Sequence, residues 1–193
     1  MYSPAMRAMG VALSVIALLA HALAAPAGAV SPVSKSFREL VAEAELIVVG
    51  TVARIDGVRM PEGLIVSDVT LTVLRIAKAL RPTPSVVVLR VLGGEVGDAS
   101  LVVPGAPQFR PGQTLLLFVR GNLHEMFPFV GVQQGVFAVR RDAALGIDRV
   151  FDWQGRPVVG LGGAAVTGAA GAPEGAAMPL DDVLRAVAEA VRG

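Results

Sequence analysis

Cysteine is missing from this chain of 193 residues, and histidine occurs only at His21 and His124. Without cysteine there is no disulfide framework, and no thiolate to serve as nucleophile, metal ligand or lipid-attachment point. With so few imidazoles, a catalytic zinc site built from Cys, His and carboxylate is excluded. Charge is scarce as well: 17% of residues are charged against 53% hydrophobic, and the mean hydropathy is +0.63. A soluble domain ordinarily carries about a quarter charged residues. Two segments explain much of the difference, an apolar N-terminus and an Ala/Gly-rich stretch near the C-terminus.

The N-terminus has the order of parts of a secretory signal peptide. Arg7 and the amino terminus are positive, Val11 to Ala20 are apolar, and Ala27-Gly28-Ala29 offers a small-x-small cleavage pattern. The apolar run is shorter than the about 20 residues needed to span a bilayer. Residues 1–29 are therefore expected to be a cleaved signal peptide, and the mature chain to be periplasmic or extracellular. Cleavage there removes Arg7 and no acid, leaving 16 basic and 16 acidic side chains. A balanced chain lacks the basic face that nucleic-acid binding requires, and gives no reason to expect an anionic membrane surface.

What remains reads mostly as strands. Before them, Ser36 and Glu39 have the spacing of a capping box, and Phe37, Leu40, Val41 and Ala44 form one helical stripe. Leu46–Val52 is apolar on both faces, as a buried strand is, with Gly50 marking a bulge or bend. Leu64–Ile76 alternates, Val86–Val91 follows the breaker Arg81-Pro82-Thr83-Pro84, and Thr114–Val119 is again apolar on both faces. Short strands are expected at Phe129–Val132 and Val136–Val139, then a last hairpin from Arg149–Trp153 through Gly155 into Val158-Val159. At least six strands with turns between them and no intervening helices predict an antiparallel barrel or sandwich, and the glycine bends favour the barrel. Residues 160–178 are Ala/Gly-rich and read as a flexible linker. In 179–193, Leu180, Val183, Leu184, Val187 and Val191 form the stripe of an amphipathic helix. Such a stripe serves the helix's own domain or docks on a partner.

The search for reactive groups is short. Glu95 and Asp98 flank Gly97 in a loop, but no calcium-loop pattern surrounds them. His124 is the one base available after cleavage for a nucleophile such as Ser67 or Ser100, and neither serine lies in a G-x-S-x-G elbow. His124 itself falls in Gly121-Asn122-Leu123-His124-Glu125, which has the composition of a hairpin loop. Gly93-Gly94 and Gly160-Leu161-Gly162-Gly163 lack the lysine and the following helix of a phosphate loop. No catalytic, cofactor-binding or metal residue is assigned.

The run Ala44-Glu45-Leu46-Ile47-Val48-Val49-Gly50-Thr51-Val52 resembles the A-D-x-I-V-x-G-x-V opening of a large set of exported, mostly uncharacterised bacterial proteins. Val69-Thr70-Leu71-Thr72-Val73, the turns at Gly93–Gly97 and Pro104–Phe109, the strand Pro111–Phe118 and the close Gln134-Gly135-Val136-Phe137-Ala138-Val139 resemble their later segments. In some of those proteins such a segment precedes a matrixin-type metalloprotease domain. The strand order is also similar to the netrin-like barrel of tissue inhibitors of metalloproteinases, an oligonucleotide/oligosaccharide-binding (OB) type of fold. The resemblance covers about residues 37–140 and implies a closed or partly open barrel with a helix. Those inhibitors reach the protease zinc through an N-terminal cysteine, which this chain lacks, and a shared fold does not carry function.

The expectation is a mainly β domain over residues 30–159, an OB/netrin-like barrel with an N-terminal and a C-terminal helix. Its expected function is that of an exported, non-catalytic binding module for a protein or envelope component. The alternatives are a protease-directed inhibitor or chaperone-like protein working without cysteine chelation, and an envelope hydrolase using His124.

Overall fold

A computed structural model of the chain describes residues 34–162 and 166–193. The signal peptide expected over residues 1–29 lies outside the described residues, as do residues 163–165 of the Ala/Gly-rich stretch.

The first element among the described residues, α1 (Phe37–Glu43), starts where the sequence places it. The Ser36 hydroxyl accepts from the Glu39 N–H at 3.2 Å, and the Glu39 carboxylate accepts from the Ser36 N–H at 2.7 Å, so both halves of the capping box are made. The Ser36 hydroxyl also donates to the Glu39 carboxylate at 2.7 Å, and this bond together with that from the Ser36 N–H holds the Glu39 carboxyl below its usual range. Among the described residues ten strands follow: β1 (Leu46–Arg59), β2 (Ile65–Ala79), β3 (Val86–Leu92), β4 (Gly94–Val96), β5 (Ala99–Leu101), β6 (Thr114–Val119), β7 (Val136–Asp142), β8 (Ile147–Asp152), β9 (Val158–Gly160) and β10 (Thr167–Gly168). The chain ends in α2 (Leu180–Arg192). No helix among the described residues is long and apolar enough to cross a membrane.

Six strands form one antiparallel sheet in the order β3-β2-β1-β6-β7-β8, and β4-β5 and β9-β10 form small two-stranded ribbons. The mainly β class is thus observed. A closed wall is not: among the described residues β3 pairs only with β2 and β8 only with β7, so the sheet has two edges. The physical reason at the β8 edge is that later chain covers it. Arg149 bridges to Pro179, Phe151 to Pro157, and the Val150 N–H donates to the Met178 carbonyl at 3.0 Å.

The two-faced apolar strands explain the packing. In β1, Ile47 and Val49 face one core while Val48 and Val52 face another; in β6, Leu116 and Phe118 oppose Leu115, Leu117 and Val119 in the same way. The first core lies under the two helices, whose Phe37, Leu40, Val41, Leu180, Val183 and Val187 are buried against the sheet. Phe118 sits at its centre, edge-on to Phe37 at 6.1 Å and to Phe137 at 5.6 Å between ring centroids. The second core lies on the opposite face of the sheet, where β1, β2, β3 and β6 bring Val52, Leu71, Leu89 and Leu117 into one cluster. The β1–β2 register shifts three times, once beside Gly50, as bulged strands do. A Cβ on Gly50 would lie 2.9 Å from the Thr72 carbonyl oxygen, so the strands can approach there only at glycine.

Two further expectations need correction. Phe129–Val132 is not a strand: Phe129 makes a single bridge to Val119, and the chain then turns through Val132 at φ 58°. Gly131 and Gly135 on either side permit that turn. The 160–178 stretch is not a free linker in its described second half. The Arg149 guanidinium donates to the Ala177 carbonyl at 2.6 Å, the Met178 N–H donates to Val158, and Ala177 is buried. Of the two readings open for the stripe of α2, the structure has the first: the stripe packs on its own domain, between α1, β2 and β8.

Candidate functional site

The residues singled out for chemistry do not converge. Ser67 is buried in β2, and its hydroxyl donates to the Gly93 carbonyl at 2.7 Å. Gly94, at φ 134°, passes so close that a Cβ would fall 2.1 Å from the Ser67 hydroxyl oxygen. The Gly93-Gly94 pair therefore lets the backbone pass Ser67; its glycines answer a steric need rather than a phosphate. Ser100, on β5, stands opposite Glu95 on β4, and Asp98 is exposed in the turn between those strands. Ser67 and Ser100 share one depression while His124 lines another. No group of three or more metal-ligating side chains occurs among the described residues.

His124 nevertheless lines a cleft. Where the sheet fails to close, a cleft of about 490 Å³ opens between β3 and the loop that follows β6, within the range of small ligand sites. The first residues before and in β1 build its end wall: the Glu45 N–H donates to the Val119 carbonyl at 2.8 Å, and the Leu80 N–H donates to the Glu45 carbonyl at 2.9 Å. Leu46, Val87, Leu89 and Val119, all part of the second core or packed on it, make an apolar floor. Arg81, Pro82, Thr83 and Pro84 form one rim; Gly121, Asn122 and His124 form the other. The exposed aliphatics Leu80, Val86 and Val88 line the same space, and Leu123 and Met126 are exposed in the adjacent loop.

The loop 121–126 is latched to β3. The Asn122 carboxamide donates to the Val88 carbonyl at 2.8 Å and accepts from the Arg90 N–H at 3.2 Å, and the Leu92 N–H donates to the Met126 carbonyl at 2.8 Å. Leu123 at the tip holds φ 69°, a left-handed conformation costing a residue with a Cβ about 1–2 kcal/mol. Arg120 at the loop's base is fixed by Glu43 at 2.7 Å and Glu125 at 3.4 Å. Next to the latch, Arg90 makes a two-pronged ion pair with Asp68, both contacts 2.7 Å, and these hydrogen bonds hold the Asp68 carboxyl below its ordinary value.

In an antiparallel ladder, alternate residues point their N–H and C=O groups to opposite sides. Val88, Arg90 and Leu92 use theirs on the side away from β2, so Val86 faces outward with them. The outward N–H groups of Val86 and Val88 and the outward carbonyl of Val86 have no hydrogen-bond partner among the described residues.

Sequence reasoning gave no role to Asn122, Leu80, Val86 or Val88. Two local signals pointed toward the place, the Gly121-Asn122 pair and the Pro82-Thr83-Pro84 breaker, yet only the fold brings them to one cleft. Compared with protein-family models, curated proteins and solved structures, the chain matches none.

Proposed function

We propose that the chain is an exported, non-catalytic binding module that holds a protein or envelope component in the cleft between β3 and the 121–126 loop. The observation that carries this reading is the pairing of an apolar floor with a polar rim beside the Val86 and Val88 main-chain groups, which have no partner among the described residues. Apolar walls with a few placed polar groups are how ligand sites are built, and strain in the Leu123 loop is a further mark of functional segments. Export is supported by the order of charged, apolar and small residues over 1–29. A partly open OB/netrin-like barrel is supported by the β1-β2-β3 meander, by β1 pairing with both β2 and β6, and by the second core on the opposite face of the sheet.

A photo-cross-linking residue placed at Leu80 in the producing cell tests this reading. It predicts a discrete adduct that disappears when the same group is moved to Glu189, on the exposed side of α2. Equal labelling from both positions, or none from Leu80, refutes it.

One observation favours a second reading, the hydrolase: His124 and Glu45 line the same cleft. That reading predicts an activity on ester or amide substrates that His124→Ala abolishes; the binding reading predicts no activity to lose.

A further inference from the structure

We propose that the occupant of this cleft is an extended polypeptide segment that adds as a short strand to the first half of β3 and carries an acidic side chain toward Arg81. This rests on the binding-module reading and goes further by stating what is bound. Three observations carry it. An edge strand is a template for another main chain, and Val86 and Val88 present an N–H, a C=O and a second N–H in a row with no partner among the described residues. One peptide-like group already sits on that template, because the Asn122 carboxamide makes to Val88 and Arg90 the two bonds a neighbouring strand residue would make. An incoming strand continues the ladder from there. The third observation is charge: Arg81 on the rim has no ion-pair or side-chain hydrogen-bond partner among the described residues, while nearly every other charged group near the cleft has one.

The same features limit the occupant. Pro82 and Pro84 lack N–H groups, so the ladder cannot run past Val86. Asn122 and Met126 hold Val88 to Leu92, which leaves too little free edge for symmetric β3–β3 pairing between two copies. A strand bound by so few main-chain bonds depends on its side chains, one into the apolar floor of Leu46, Val87, Leu89 and Val119 and one beside the exposed Val86 and Val88.

The probe is an arrayed set of acetylated heptapeptides in which valine alternates with threonine and a single aspartate is moved along the chain. The assay is amide-resolved titration and hydrogen exchange of the exported protein. The expected result is that the best peptide slows exchange at Val86 and Val88 at least tenfold and leaves β7 and β8 unchanged. N-methylation of its central amide should weaken binding about tenfold, the worth of a single main-chain hydrogen bond. Arg81→Glu should weaken the aspartate-bearing peptide and leave its asparagine analogue unaffected. Peptides that bind without slowing Val86 and Val88 overturn strand addition while leaving the cleft a binding site. If no peptide binds at millimolar concentration, the inference falls; the Leu80 cross-link then decides separately whether the cleft binds anything.

Discussion

Replacing Asn122 by alanine removes the latch that holds the loop over the sheet edge. Its carboxamide makes two hydrogen bonds, at 2.8 and 3.2 Å, to the main chain of β3. Each is worth about 0.5–1.5 kcal/mol net, the lower part of the range applying where water can replace the lost partner. The substitution is therefore expected to cost about 1–2 kcal/mol, or about 3–6 °C in Tm for a domain of this size. The local consequence is larger than the global one. Holding Leu123 at φ 69° costs about 1–2 kcal/mol, so the latch and the strain nearly cancel, and without the latch the tip has little reason to stay. Thermolysin, which cuts beside exposed aliphatic residues, should then cleave the 121–126 loop at least tenfold faster in Asn122→Ala while the rest of the chain resists. Leu123→Gly in the same background relieves the strain and should recover part of the loss. A variant with unchanged Tm and unchanged cleavage would show that the carboxamide does not hold the loop, and the argument would fail.

Other perturbations probe the frame around the cleft. Phe118→Ala empties the centre of the helix-covered core and should cost about 3–5 kcal/mol in urea unfolding, whereas a loss under 1.5 would contradict the packing of Phe37 and Phe137 on it. Gly57→Ala puts a Cβ 1.8 Å from the Glu95 carbonyl oxygen; it should lower stability by about 1–3 kcal/mol and shift the β4–β5 resonances, since backbone rather than a flexible side chain must move. Ser36→Ala removes the cap of α1 and should cost about 1 kcal/mol, measured by thermal unfolding. For Asp68 the sign follows from its lowered carboxyl: the ion pair with Arg90 stabilises the fold above the unfolded-state value of about 3.9 and is lost as pH falls through the folded value. Asp68→Asn should therefore be less stable than the parent at pH 7, and the gap should close on acidification below about pH 4. A gap that stays constant with pH would mean that the pair contributes nothing.

Local rules were legible in the sequence and nonlocal ones were not. The Ser36/Glu39 spacing, the two-faced runs in β1 and β6, the bend at Gly50 and the stripe of α2 all depend on neighbours within a few positions, and each appears in the structure. Both strands of the β7–β8 hairpin were expected but not the turn that joins them, which Asp142 makes by accepting from the Ala144 and Leu145 N–H groups ahead of Gly146. Whether the sheet closes depends on what meets β3 and β8. That is settled by Asn122, Met126 and Pro179, each far along the chain from the strand it covers. The cleft has the same origin. His124 was legible as a loop residue, but nothing local in the sequence shows that Ser67 and Ser100 lie in a different depression or ties it to Glu45, Leu80 or Val86.

Site-resolved amide exchange along β3 of the unliganded protein bears most directly on the open edge. Val87 and Leu89 should exchange slowly because they bond β2, Arg90 and Leu92 at intermediate rates under the loop, and Val86 and Val88 fast. Protection of Val86 and Val88 equal to that of Leu89 would mean that another strand already lies there, and the site would not exist.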